Sequence, residues 1–295
     1  LLYSLAPMHD NLGYMLPVQK LLGIEDQIPE RAQVVRVLLA ELTRIKSHLV
    51  WLACHALDIG AMTVFIYCFR EREEIMNFYE QISGARMTSN YFRVGGLSAD
   101  LPTGIEQKIR KFAEDMPGHI DTYEGLLTGN KIWQKRIMDV GVISAEDAID
   151  LGVTGPSLRG SGVDWDLRRD QPYSGYENYD FEVAVDDGCD TWARYQVRLK
   201  EMRESCKLIH QAVDKLSPGP ILADVPKVVL PPKKDVVNTI EGLIHHFKII
   251  SEGFKPEPGE VYVGVENPKG EVGFYLVSDG SPRPYRMKIR PASFI

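Results

Sequence analysis

Downstream of Pro29 the apolar residues Val34, Val35, Leu38, Leu42, Ile45, Leu49, Leu52 and Ala56 fall within one stripe at the about 100° per residue of an α-helix. With Pro29 just ahead of it, the pattern predicts a long helix buried along one side. A second helical pattern, from about Thr63 to Met87, carries the run Arg70-Glu71-Arg72-Glu73-Glu74, which reads as a solvated face with Arg70 and Glu74 as an i,i+4 pair. Gly95-Gly96 and Pro102 then break the pattern. From Cys189 the residues Trp192, Tyr195, Leu199, Met202, Cys206, Ile209, Val213 and Leu216 alternate three and four apart, the seam of a helix packed in a bundle. Ser217-Pro218-Gly219-Pro220 ends it, and one more bundle helix fits Val236, Ile240, Leu243, Phe247 and Ile250, after Pro231-Pro232 and before Gly253.

The period then changes to two. Val261, Val263 and Val265 alternate with polar or small residues, Asn267-Pro268-Lys269-Gly270 suits a turn, and Val272, Phe274 and Leu276 alternate again. Tyr285, Met287 and Ile289 supply a third short strand after Asp279-Gly280. Helices first and strands last, with no internal repeat, predict a single α+β domain that is mainly α: a helical bundle over 1–253 and a small antiparallel β-hairpin region over 254–295.

Composition narrows the function classes. At 295 residues, 44% hydrophobic and 25% charged, the chain has the make-up of a soluble globular protein with a sizeable core. Its 41 acidic against 34 basic residues, a net charge of -7, argue against nucleic acid as a partner. The longest clean apolar stretch, Leu49 to Cys54, is far short of the roughly 20 residues of a membrane span. Cysteines at 54, 68, 189 and 206 form no C-x-x-C pair for a zinc or iron-sulfur site, and free thiols suit a reducing compartment. Leu1 in place of an initiator Met and a stop in mid-run at Ile295 lead us to expect a chain cut at both ends.

On the first long helix Glu41, His48 and His55 recur every seven residues with Arg44 beside them, a half-buried polar ladder along one edge of the apolar stripe. Seven residues of helix rise about 10.5 Å, too far for two ladder side chains to share one metal ion. The ladder therefore reads either as a buried ion-pair network or as a proton-handling edge. Asp58, just past that helix among small and apolar neighbours, either caps the following helix or orients a partner imidazole for proton transfer. His245-His246 point about 100° apart on a helix and carry no assigned role. No dinucleotide, P-loop or nucleophile-elbow motif occurs, and Arg159-Gly160-Ser161-Gly162 lacks the second half of a phosphate loop.

Several strings are more specific. His55-Ala56-Leu57-Asp58-Ile59-Gly60-Ala61-Met62-Thr63, Arg70-Glu71-Arg72-Glu73, Ser83-Gly84-Ala85-Arg86-Met87 and Tyr91-Phe92-Arg93-Val94-Gly95-Gly96 stand in one order with Leu158 to Gly162, Trp165 to Arg168, Gln171-Pro172-Tyr173, Pro268 to Glu271 and Ser278-Asp279-Gly280. In these strings, spread over essentially its whole length, the chain resembles the 49 kDa subunit family of respiratory complex I, whose fold is similar to the large subunit of nickel-iron hydrogenases without the metal-binding cysteines.

The resemblance implies a core peripheral-arm subunit of a proton-translocating NADH-quinone oxidoreductase, inactive alone. It binds no cofactor of its own and forms the quinone pocket with the neighbouring iron-sulfur subunit that carries the terminal [4Fe-4S] cluster. Further implied partners are the membrane subunit at the quinone entrance and the other complex I subunits. The implied location is peripheral, on the cytoplasmic face of the bacterial inner membrane or the matrix face of the mitochondrial one. Position by position, Asp58 matches the family acid that hydrogen-bonds a quinone-ligating His in an N-terminal hairpin absent here. The family's second quinone ligand, a Tyr, corresponds to Tyr3 if one residue is inserted before Tyr14, and to Ser4 without that gap. His55, Met62, Arg86 and Arg93 are candidates for the pocket rim or an interface, with an interface salt bridge the plainer role for Arg86. A hydrogenase-like large subunit and a scaffold without quinone chemistry are the alternative readings.

Overall fold

The computed structural model describes residues 5–292. Three long helices come first: α1 (Pro7–Leu22), α2 (Glu30–Ile59) and α3 (Met62–Ser83). A two-stranded hairpin, β1 (Phe92–Arg93) and β2 (Gly96–Leu97), leads into α4 (Ile105–Leu127). Four short helices, α5 (Lys131–Ile137), α6 (Ala145–Asp150), α7 (Pro156–Arg159) and α8 (Leu167–Asp170), precede the long α9 (Thr191–Lys215). After α10 (Lys233–Asn238) and α11 (Ile240–Ser251), an antiparallel meander of β3 (Gly259–Asn267), β4 (Gly270–Ser278) and β5 (Arg286–Arg290) forms the C-terminal sheet. The α+β, mainly α expectation holds, and the third strand expected around Met287 and Ile289 completes the C-terminal sheet.

The centre is α2, packed between α3 and α9, with α4 closing over α9 and α3. Every apolar residue of its predicted stripe is buried, and Leu38, Leu42, Ile45, Leu49 and Leu52 are fully so. Each such side chain contributes roughly 1.5–3 kcal/mol of transfer free energy. The α9 seam is also buried from Tyr195 to Val213, with Trp192 and Leu216 half-buried at its ends. Asp190 starts that helix by accepting a hydrogen bond from Ala193 N at 2.8 Å. Gly60, at φ 105, ends α2 in the left-handed cap and turns the chain directly into α3.

The sheet packs on α1, where Gly13 leaves room for Phe274 and Val265; a Cβ there would stand 3.0 Å and 3.2 Å from them. Val265, Val272 and Phe274 thereby join the same apolar core as α2 and α9.

Four expectations change. The second helix stops at Ser83, because Gly84 takes a left-handed cap. Its charge run is not a solvated face: Glu71 and Arg72 turn inward because α3 lies between α2 and α4, and Arg70 pairs with Glu71 rather than Glu74. The helix expected over Val236 to Ile250 is broken at Thr239 into α10 and α11, and its apolar residues Ile240, Leu243, Phe247 and Ile250 face outward rather than into the bundle, with Val236 half-buried. Asp58 lies inside the last turn of α2 rather than past it.

Candidate functional site

Glu41, Arg44 and His48 are fully buried, not half-buried, and they meet charges from three other segments. The Glu41 carboxylate accepts hydrogen bonds from Tyr176 Oη and Ser205 Oγ, both at 2.6 Å, from Arg44 Nε at 3.1 Å and from Arg168 Nη1 at 3.3 Å. Arg168 also donates to Asp166 at 2.7 Å. Arg159 donates to Glu201 at 2.6 Å and to Glu266 at 2.9 Å, and lies 3.5 Å from Asp166. His48 Nε2 is 2.8 Å from the other Glu201 oxygen, and Arg44 donates to the Glu266 carbonyl at 2.8 Å.

Four carboxylates (Glu41, Asp166, Glu201, Glu266) thus face three guanidiniums (Arg44, Arg159, Arg168) in the buried interior. Burial alone would push the carboxyls up, yet Arg44 and Arg168 hold Glu41 below its ordinary value, and Arg159 holds Glu201 well below. Glu266, where burial outweighs the pull of Arg159, is the one pushed up. His48 is drawn down to about 4 by burial, against the pull of Glu201. The inner part of the ladder is therefore an ion-pair network tying α2 to α9, the α7–α8 segment and β3. No group of three or more His, Cys, Asp or Glu that could hold a metal ion occurs among the described residues.

The outer end differs. His55 is half-buried, stacked on Trp51 with ring centroids 5.9 Å apart and edge-on to Trp133 at 5.3 Å, while its Nε2 has no hydrogen-bond partner among the described residues. Burial and the Arg198 charge lower its pKa, and Asp58, one turn further along α2, opposes them. Asp58 itself is exposed and accepts no hydrogen bond from the described residues. It does not cap α3, whose N-cap is Ala61 with no side-chain bond. An acid in the last turn of a helix also stands against the helix dipole, so local stability does not account for it. At the same α2–α3 corner Leu57, at the end of α2, and Met62 and Ile66, in the first turns of α3, expose 40%, 62% and 57% of their surface.

Asp58, His55 and Met62 therefore share one corner. Arg86 and Arg93 do not: they follow the far end of α3, about 33 Å of helix rise from Met62. Arg86, just past α3, folds back on that helix, donating to Glu80 at 2.9 Å and Asn77 at 2.7 Å and pairing with Glu73. Arg93 donates to Asn90 at 2.7 Å. Tyr3 and Ser4 lie outside the described residues. The partners of the ladder, Arg159, Asp166, Arg168, Glu201 and Glu266, carried no assigned role in the sequence, although Arg198, Glu201 and Ser205 run three and four apart beside the α9 seam.

Comparison with known proteins identifies relatives. A family model described as respiratory-chain NADH dehydrogenase, 49 kDa subunit, matches residues 58–295. The D-type NADH-quinone oxidoreductase subunit of Trichlorobacter lovleyi is 70% identical over 291 residues, covering 99% of this chain and 74% of the relative. Its counterpart in Geobacter metallireducens is likewise 70% identical with the same coverage, and the second D-type subunit of Chloroflexus aurantiacus is 53% identical over 294 residues, 99% of this chain and 71% of the relative.

Proposed function

The chain belongs to the 49 kDa subunit family of respiratory complex I, and from that premise we propose that its α2–α3 corner forms part of the wall of a quinone-reduction pocket, with Asp58 as a positioning acid. The chain is a subunit of an NADH-quinone oxidoreductase, and no helix among its described residues is long and apolar enough to cross a membrane.

The observation that carries the proposal is an exposed carboxylate, neither a cap nor an ion-pair partner among the described residues, at a helix corner where Leu57, Met62 and Ile66 are also exposed. Quinone reduction takes two electrons and two protons, and the reduced carbonyl oxygens need donors held in place by a shell that excludes water. In the proposed arrangement the electrons arrive from an iron-sulfur cluster in a neighbouring subunit. Asp58 accepts a hydrogen bond from an imidazole N–H outside the described residues and so fixes which ring nitrogen faces the quinone. Tyr3 supplies the second proton donor, and His55 and Met62 form the inner and outer edges of the wall. Arg86 and Arg93 serve an interface further along the chain. The partners in this reading are the iron-sulfur subunit and the membrane subunit at the quinone entrance, on the cytoplasmic or matrix side of the membrane.

The test is the inhibitor-sensitive quinone reduction rate of the complex purified through this chain, wild type beside Asp58→Asn, with subunit content measured in both. A loss of at least ten-fold with the complex intact is the expected result. An unchanged rate in the intact variant would remove Asp58 from the quinone site.

A further inference from the structure

The hairpin of α10 and α11 is built inside out. Ile240, Leu243, Ile244, Phe247 and Ile250 of α11, with Val237 of α10, expose from 47% to 74% of their surfaces. The opposite side of α11 faces α10 and the loop over residues 222–232. There Gly242 lies so close to the α10 backbone that a Cβ would stand 2.6 Å from the Asp235 carbonyl oxygen, and His245 lines a groove of about 750 Å³ beneath the hairpin.

Among the described elements, α10 and α11 pack substantially only on each other. Proline-bearing links at Pro231-Pro232 and at Pro256 and Pro258 join the hairpin to the body. A twelve-residue helix is marginal in water without tertiary support for its apolar face.

We propose that this outward face is a docking surface, buried in the assembly against an apolar groove of another protein subunit of the same complex. The inference rests on the reading of the chain as a complex subunit and adds the element that would be covered. Size favours a protein partner: at their exposed fractions the six side chains present roughly 700 Å², close to the roughly 800 Å² that each side gives to a standard interface. Charge disfavours a lipid surface. Across Lys233 to Glu252 three lysines (Lys233, Lys234, Lys248) balance three acids (Asp235, Glu241, Glu252), whereas helices that lie on anionic lipid carry a basic polar face.

The experiment places the photoreactive p-benzoylphenylalanine at position 247 in the full chain, irradiates the purified, assembled complex, and identifies the adduct by mass spectrometry. An adduct to another subunit is expected. An adduct to lipid or to a second copy of this chain, or no intermolecular adduct, would overturn the proposal. Leu243→Gln with Phe247→Gln gives an independent readout, since both side chains are largely exposed among the described residues. At least ten-fold less chain retained in the complex is expected, and retention at the wild-type level would overturn the proposal. If the wild-type chain co-purifies with quinone reductase activity that Asp58→Asn abolishes, failure of the cross-link removes this inference alone. If no complex subunit co-purifies with the wild-type chain, the functional reading fails as well.

Discussion

Arg159→Met removes the one guanidinium shared by Glu201, Glu266 and Asp166, at 2.6, 2.9 and 3.5 Å, while keeping most of the side-chain volume. Four buried carboxylates would then face two guanidiniums, those of Arg44 and Arg168. Breaking a buried pair by deleting one partner costs about 3–5 kcal/mol, because the surviving charge stays desolvated. A value near 4 kcal/mol lowers the folded-to-unfolded ratio about a thousand-fold and, for a chain of this size, shifts Tm by roughly 10 °C.

The pH dependence distinguishes lost charge pairing from lost packing. In the wild type Glu201 is held well below its ordinary value, so its contribution is complete above the unfolded pKa of about 4.3 and is lost as pH falls through the folded value. In the variant the orphaned carboxyls have raised folded pKa values, so their penalty is absent in acid and grows as pH rises through those values. Thermal unfolding of the purified complex, followed at this subunit from pH 5 to pH 8, should show a deficit that is largest at pH 8. Arg169→Met, which breaks only half-exposed pairs with Asp164 and Asp170, should stay within about 1 kcal/mol of the wild type. A variant at position 159 as stable as the wild type at pH 8, or a deficit independent of pH, would refute the pairing account.

A second buried cation has the opposite sign. Lys46 is 1% exposed, its ammonium lies 4.6 Å from the centre of the Tyr79 ring, and burial, reinforced by the Arg72 charge, lowers its pKa to about 7. Between that value and the unfolded value near 10.4 the unfolded chain binds more protons, so stability rises with pH across the window. Lys46→Met should therefore stabilise the chain by about 4 kcal/mol at pH 6, with the advantage fading toward pH 10 in a pH series of melting curves; a less stable variant at pH 6 would contradict this. Thiol alkylation of the native chain should label exposed Cys54 well before Cys68 and Cys206, which are buried and whose thiols are pushed up to about 12, as peptide mapping of a time course would show.

The repeating elements were legible in the sequence because their periods are local. The α2 stripe, the α9 seam and the alternation of Val261 to Leu276 each mark one buried side of one element, and all three are buried as expected apart from the half-exposed ends of the seam and of the strand pattern at Val263. The family strings singled out Asp58, His55 and Met62 as candidates, and the structure puts them on one corner because a helix end and the start of the next helix are neighbours in sequence. Arg86 and Arg93 entered through those strings too, but α3 carries them away from the corner.

Tertiary structure alone decided the rest. An amphipathic period states that a helix has an apolar face but not which way that face points, so α11 and a bundle helix look alike until packing turns one of them outward. The Arg70 to Glu74 run reads as surface until α2 and α4 close on both sides of α3 and bury Glu71. The charge network could not be read from the ladder, because Glu41 and His48 find Arg168 and Glu201 more than a hundred residues away. What a buried charge costs depends on which opposite charge the fold delivers to it, and that is settled only when distant segments meet.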